Sequence, residues 1–309
     1  LRQSMVACAV AGGVIGWGSG IIWCEGREDL IFDPLGMRQS SGRPAYVIRF
    51  RAALGHLADS QTDALRTCSG KYLCLGQSPA GTTPTMTAAE LITFGRAHLN
   101  GGVSVTGERW LSEQSIATMQ TATAQIPSSS PAVTTAMGLG WMLGRHNASG
   151  LRYVAHSGGT NGQCAHLRLF PEYNACFAVL LNRSKPDALT AMISQLTEVV
   201  TDIKLDTGPG ASAADIDPAA LARYEGHYQS YAGDYRISLN GSGLTGTFDD
   251  AVDEEDRFSF SLVPLQDGCF EQRNANNASM GLVYFSEQDK LQRPQRFFAG
   301  ARLYQRVNR

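Results

Sequence analysis

Hydrophobic and polar positions alternate most clearly between residues 151 and 181, where the pattern predicts three strands separated by turns. The first strand, 151–156, leads into a glycine-bearing turn. The second, 163–170, alternates between a polar face with Cys164, His166 and Arg168 and an apolar face with Ala165, Leu167 and Leu169. The third, 176–181, is a continuous apolar run, typical of a strand buried on both faces. The short connection between the last two strands predicts an antiparallel hairpin.

Segments with helical periodicity precede and follow these strands in the sequence. The clearest stripe of apolar residues runs from 187 to 204, and we expect this helix to pack across the sheet. Upstream, Thr87 and Glu90 form a capping-box pattern, in which the threonine accepts from the N–H three residues on and the glutamate reaches back. A second helix is predicted at 112–122. Residues 46–50 form a candidate strand, and 54–83 an irregular loop.

The character of the chain changes near residue 206. The stretch 206–219 is rich in glycine, alanine and serine and is typical of a linker. Beyond it the pattern predicts regular short strands without long helices. These strands cover 235–239, 244–248, 258–263, 282–285 and 302–307. We therefore predict two domains, a helix-and-sheet domain at 1–205 and a small antiparallel β domain at 220–309.

Composition narrows the possible partners. The chain has 309 residues, a net charge of −2 and 43% hydrophobic residues, as expected of a globular protein. Since it has no basic run, we expect no nucleic acid partner. Seven cysteines and six histidines are scattered without metal-ligand spacing, so we expect no metal and no cofactor. The sequence leaves the compartment, cytoplasmic or extracytoplasmic, and the oligomeric state open.

An apolar stretch stands out near the start of the chain. Residues 5–23 contain no charge and are long enough to span a bilayer or to form a signal-like segment. Five glycines weaken a helix there, and no cationic run precedes it. Three interpretations remain: a buried helix, a scrambled or out-of-frame remnant of one, and a membrane span. The glycines argue against a membrane partner.

The end of the first strand carries the candidate chemistry. His156, Ser157, Gly158 and Gly159 place a titratable ring, a hydroxyl and two positions without side chains in consecutive places, and Thr160 follows. Glycine lets a backbone lie close to a ligand, and its free N–H can point at developing negative charge. The pattern therefore indicates a strand edge that binds a small-molecule or peptide substrate.

Several blocks in order resemble one family. Gly-Leu-Gly-Trp at 138–141, His-x-Gly-Gly at 156–159 and the hairpin ending in Leu-Leu-Asn resemble the third conserved block of the serine β-lactamase and penicillin-binding-protein-like hydrolases. Pro-Leu-Gly-Met at 34–37 and the helix beginning near Thr87 are similar to further blocks. The resemblance implies an α+β fold: an antiparallel sheet flanked by helices, N-terminally incomplete, plus the C-terminal barrel-like β domain. Residues 1–205 are then the C-terminal portion of the β-lactamase-like domain.

The resemblance also implies an activity and assigns roles. The family forms an acyl-enzyme on the serine of Ser-x-x-Lys, aided by Tyr-x-Asn, and acts on amide, lactam or ester bonds. His156 matches the polar position of the strand motif, and Gly159 would supply one N–H of the oxyanion hole. Ser157, Gly158 and Thr160 would bind substrate.

Two motifs of that family are missing from the sequence. No serine here has a lysine three residues on, and Tyr-x-Asn is absent. We therefore expect a serine acyl-hydrolase whose nucleophile lies outside this chain. The alternatives are a non-catalytic descendant that binds ligands along the His156 strand, and a membrane-tethered scaffold that uses residues 5–23.

Overall fold

A computed structural model of the protein describes most of the chain. The described residues are 23–47, 49–58, 64–68, 83–130, 133–160, 162–183, 185–205, 216–241, 243–251, 257–266, 268–277, 279–299 and 302–307. The chain divides into two compact units. One comprises residues 3–126 and 134–206, and the other 127–133 and 207–309. The apolar stretch 5–23 lies outside the described residues except for Trp23, and so does most of the predicted linker.

The chain before residue 206 combines short helical segments with a six-stranded antiparallel sheet of order β3-β4-β5-β6-β7-β8. Its helices are α1 (Trp23–Arg27), α2 (Pro44–Val47), α3 (Ala88–Leu99), α4 (Glu113–Met119) and α5 (Pro186–Thr201), with a π-helical turn at Glu28–Phe32. Its strands are β1 (His56–Ala58), β2 (Leu65–Thr67), β3 (Ala124–Ser130), β4 (Val133–Met137), β5 (Met142–His146), β6 (Arg152–Thr160), β7 (Gln163–Phe170) and β8 (Ala175–Leu181). The predicted α+β class and the β7–β8 hairpin are confirmed.

The sheet buries a different helix on each face. On one face, Trp141, Val154 and Leu167 form a cluster that includes Phe94 of α3. On the other, Phe170 and Phe177 pack with the apolar stripe of α5. The stripe predicted at 187–204 therefore covers the sheet, as expected. Since side chains alternate along a strand, neighbouring residues of β6 belong to opposite faces.

The capping pattern at α3 forms only in part. Thr87 Oγ1 accepts from Glu90 N at 3.2 Å, as predicted. The Glu90 carboxylate does not reach back to Thr87. It accepts instead from Gln39 N at 2.7 Å and from the Ser40 hydroxyl at 2.6 Å. Glu90 thereby ties α3 to the loop that follows the Pro-Leu-Gly-Met segment.

Two local predictions are wrong. Residues 46–50 are not a strand: the chain turns helically at Pro44–Val47, where Arg43 O accepts from Tyr46 N and Val47 N, and proline suits a first helical position. Strand β8 is not buried on both faces, since Leu180 is 39% exposed. Among the described strands, β8 is also an edge of its sheet. The predicted loop 54–83 contains the small β1–β2 hairpin.

The second unit contains a closed eight-stranded antiparallel barrel, which confirms the barrel-like prediction. A short helix α6 (Pro218–Leu221) precedes it. The strands are β9 (Gly226–Ser230), β10 (Gly233–Asn240), β11 (Gly243–Asp250), β12 (Arg257–Gln266), β13 (Cys269–Arg273), β14 (Ser279–Gln288), β15 (Pro294–Ala299) and β16 (Arg302–Arg306). The core is largely aromatic, with Tyr228, Phe270 and Phe297 completely buried. Large side chains rather than a cavity-lining surface therefore make up this core.

Candidate active site

Strand β6 is longer than β5, the strand that pairs with it on one side, and its end projects beyond β5. Strand β5 pairs with β6 only at 152–155, whereas β7 pairs with β6 as far as Thr160. The β5 side of residues 156–160 therefore has no partner among the described strands. β5 starts late because the chain before it turns: Gly138 N donates to Trp141 O, and Gly140 has a φ of +77°. This projecting segment is the candidate site.

The ladder shows which backbone groups face the open side. His146 N of β5 donates to Leu151 O at 2.8 Å, so the backbone polar groups of residue 151 point toward β5. In an antiparallel ladder this direction repeats at every second residue. The N–H and C=O groups of Ser157 and Gly159 consequently point toward the open edge. Those of His156, Gly158 and Thr160 point toward β7.

The side chains of the predicted site residues divide between the two faces of the sheet. His156, Gly158 and Thr160 share the face of Val154, which packs against α3. All three are exposed. A Cβ built on Gly158 would meet no atom within 4 Å, so this face of the strand is open. Desolvation lowers the pKa of His156 from its usual value, and a backbone hydrogen bond at Ser157 partly offsets this. A lowered pKa favours the neutral imidazole.

Ser157 projects from the other face. Its Oγ lies 2.7 Å from Nδ1 of His166, the residue directly opposite on β7. His166 is 4% exposed, and desolvation, with smaller contributions from Arg168 and His156, lowers its pKa to about 3. The imidazole is therefore neutral. Only the backbone of Ser157 is directed toward the open edge of β6.

Sequence reasoning placed His166 on the polar face of its strand but assigned it no partner. The signal was present: Asn-Gly at 161–162 is a strong two-residue hairpin pattern. Such a loop pairs Thr160 with Gln163, and counting back three residues on each strand pairs Ser157 with His166. The structure has this register.

The β1–β2 hairpin borders the site. His56 N donates to Asn182 O at 2.9 Å and to Gly162 O at 3.1 Å. The Gln163 side chain donates to Ala53 O at 2.9 Å. These bonds hold the loop before β1 against the turn that ends β6. His56 therefore lies beside the turn that ends β6.

In the described part of the chain, no group of three or more His, Cys, Asp and Glu residues could hold a metal ion. The described helices also include none that is long and apolar enough to cross a membrane.

Comparison with known proteins decides the family. The family model described as Beta-lactamase matches residues 5–200. The chain belongs to this family. A curated member, penicillin-binding protein 4 of Amycolatopsis lactamdurans, is 30% identical over 217 residues, which are 69% of this chain and 56% of that protein. The chain thus spans little more than half the length of this relative.

Solved structures show the same fold. The crystal structure of SurE superposes with a TM-score of 0.70 at 19% identity and covers 98% of this chain and 68% of that one. The octameric penicillin-binding protein homologue from Pyrococcus abyssi gives a TM-score of 0.54 at 18% identity, covering 95% and 62%. At such identities the likeness concerns the fold alone. The Beta-lactamase family chain has a serine hydrolase-like fold, and the roles of its strand residues stay predictions.

Proposed function

We propose that the projecting end of β6 is the substrate-binding strand of a serine acyl-hydrolase, which acts on amide, lactam or ester bonds through an acyl-enzyme. The observation that carries the proposal is the direction of the backbone. The Gly159 N–H faces an edge that no described strand occupies. A backbone N–H that is free, fixed by a strand and next to a glycine can bind the oxyanion of an acyl-transfer intermediate.

Each predicted site residue has a role in this proposal. Gly159 donates to the oxyanion, and removing one such donor typically raises the barrier by about 2.7 to 4 kcal/mol. The Ser157 N–H and C=O pair with an extended substrate as a further strand would. Gly158 leaves room above the strand. His156, held neutral, and the exposed Thr160 hydroxyl contact polar groups of the substrate.

The reaction needs a nucleophile in addition to this strand. The 309 residues contain neither Ser-x-x-Lys nor Tyr-x-Asn. In the proposal, the serine that becomes acylated is therefore not part of this sequence. The same absence supports a second candidate function, a non-catalytic protein that binds peptide or amide ligands along β6.

The first experiment measures binding and acylation together. Purified 1–309 chain is treated with a fluorophosphonate, with benzylpenicillin and with D-leucine, and its intact mass and thermal unfolding are recorded. The last two probes follow from the penicillin-binding relative and from a SurE structure solved with D-Leu, which superposes with a TM-score of 0.66. We expect a rise in Tm with at least one probe and no change in mass.

Two variants connect this result to the strand. Gly158→Val places a side chain on the open face, where a Cβ meets no atom within 4 Å, and should abolish the rise in Tm. His156→Ala should reduce the rise. Arg152→Gln, at the start of β6 and away from the open edge, serves as the control and should respond like the unmodified chain. A stoichiometric adduct on one serine would show that an active nucleophile exists among these residues and would overturn the proposal. A folded chain that responds to no probe would do the same.

The two candidate functions differ in one observation. A continuous reading frame that encodes Ser-x-x-Lys and Tyr-x-Asn on the 5′ side of the Leu1 codon would support the hydrolase. Its absence would support the ligand-binding protein.

A further inference from the structure

Arg168 is a buried cation with almost no polar partner. It lies on the α5-facing side of β7 and is 8% exposed. Its only side-chain hydrogen bond in the described part of the chain joins Nη1 to Thr197 Oγ1 at a long 3.4 Å. The guanidinium also lies 4.0 Å from the centroid of the Tyr153 ring. No described carboxylate forms an ion pair with it. Arginine stays charged at any physiological pH, so this charge is buried without a counter-charge.

One buried donor of Arg168 is unused. Its buried Nε has no hydrogen-bond partner. Thr197 contributes little, because its hydroxyl, which donates to Ile193 O at 2.7 Å, accepts from Arg168 only at 3.4 Å. An ionised group buried without a partner costs several kcal/mol, so folded proteins rarely contain one.

His166 presents a second unpartnered nitrogen on the same face. It is two residues before Arg168 on β7, so both side chains project toward α5. Its Nδ1 is bonded to Ser157, and its buried Nε2 has no partner among the described residues. When the Ser157 hydroxyl donates to Nδ1, the ring proton resides on Nε2. This face of the sheet then presents two buried N–H donors, one of them on a full positive charge, and neither has an acceptor among the described residues.

We propose that a small inorganic monoanion, chloride in the test below, binds between the sheet and α5 and accepts from Arg168 Nε and His166 Nε2. The anion supplies the counter-charge that the described residues lack and satisfies both donors. A water molecule could accept these hydrogen bonds but would leave the charge of Arg168 uncompensated. The site lies on the face of the sheet opposite to His156. It does not require that face to bind a substrate, although the Ser157–His166 hydrogen bond joins the two faces.

The test is thermal unfolding of the whole chain in sodium chloride and in sodium gluconate at equal ionic strength. An ion that binds only the folded state raises its stability with the logarithm of its concentration. We expect Tm to rise in chloride by about 5 to 9 °C between one and one hundred times the dissociation constant, and to stay constant in gluconate. Equal Tm values in the two salts would overturn the proposal.

Matched variants locate the site. Arg168→Gln should lose the chloride response, whereas Arg152→Gln, which removes an exposed arginine of the same sheet, should keep it. An Arg168→Gln protein that responds like the unmodified chain would overturn the proposal.

If Arg168→Gln does not fold, the ³⁵Cl NMR linewidth of the unmodified chain gives a direct measurement. Chloride in a buried site broadens the signal, and bromide should displace it. A linewidth equal to that of buffer would overturn the proposal.

Discussion

The Ser157 hydroxyl and Nδ1 of His166 face each other across the β6–β7 pair at 2.7 Å. Ser157 is the only hydrogen-bond partner of the buried His166 ring among the described residues, since Nε2 has none. The bond holds Ser157 on the α5-facing side of β6, opposite the face that carries His156. The hydrogen bond therefore ties the packing under α5 to the orientation of the projecting backbone.

Ser157→Ala removes that partner and leaves the buried ring without any hydrogen bond. A buried polar group that loses its partner costs about 1 to 3 kcal/mol, and we expect this loss in the free energy of unfolding. Urea denaturation measures it. Thr160→Ala, exposed on the same strand, is the control and should change stability by less than about 0.5 kcal/mol. Equal losses in both variants would show that the bond does not stabilise the fold.

His98 makes stability depend on pH. It is 2% exposed, packs against the rings of Phe94, Trp110 and Trp141, and has no partner for either nitrogen among the described residues. Burial lowers its pKa from 6.5 to about 4. The unfolded chain thus binds a proton at a higher pH than the folded chain does. This contribution is fully present above pH 6.5 and is lost as the pH falls toward 4.

The expected loss from His98 is roughly 2 to 3 kcal/mol between pH 7 and pH 4.5. In His98→Phe the pH slope of the unfolding free energy should fall by about one proton over this range. Phe94→Leu disturbs the same cluster without a titrating group, so it should lower stability equally at both pH values. Parallel pH profiles for His98→Phe and the unmodified chain would contradict the prediction.

Alanine substitutions at two glycines with similar backbone angles distinguish the cost of backbone strain from the cost of a steric contact. Gly140 and Gly162 have φ values of +77° and +68°. A Cβ on Gly140 would meet nothing within 4 Å, whereas one on Gly162 would lie 2.5 Å from His56 N. Gly140→Ala should cost about 1 to 2 kcal/mol for its left-handed backbone. Gly162→Ala should cost a further 1 to 3 kcal/mol, roughly, because it also displaces the β1–β2 hairpin. Chemical denaturation of both variants measures the difference, and equal costs would refute it.

The barrel should fold by itself. Each of its eight strands pairs with two others of the same barrel, and its aromatic core is its own. We propose that residues 220–309 form an independent domain and expect a fragment of residues 216–309 to unfold cooperatively. Phe297→Ala should cost it about 3 to 5 kcal/mol. Met280→Ala, at an exposed position, is the control. A fragment with dispersed NMR signals but no cooperative transition would contradict the domain prediction.

Much of the fold could be predicted because its pattern is local. The stripe of α5 and the alternation of β7 depend on neighbouring residues, and the structure has both. The five predicted C-terminal strands all lie within observed strands or overlap them. Strands β9, β13 and β15 were missed. β13 mixes polar residues with Cys269 and Phe270, and β15 begins with Pro294, so neither shows a simple alternation.

The candidate site could be predicted only as a list of residues. That the Gly159 N–H faces an open edge depends on where β5 ends, and this is set by the turn at Gly138–Trp141 rather than by periodicity. Arg168 was expected on a polar face of its strand, but its lack of a counter-charge follows from which side chains α5 brings to it. Such relationships between distant residues are not encoded in a sequence pattern.

In the proposed function, the length of the projecting strand also limits which substrates it can bind. Residues 156–160 extend over about 16 Å at roughly 3.3 Å per residue. Only two of the five, Ser157 and Gly159, direct backbone groups outward. A bound chain can therefore form ladder hydrogen bonds over no more than about three of its own residues before the turn at Gly162 ends the template. The strand is suited to short or terminal segments, and the interior of a long polypeptide would have to bend away on both sides of it.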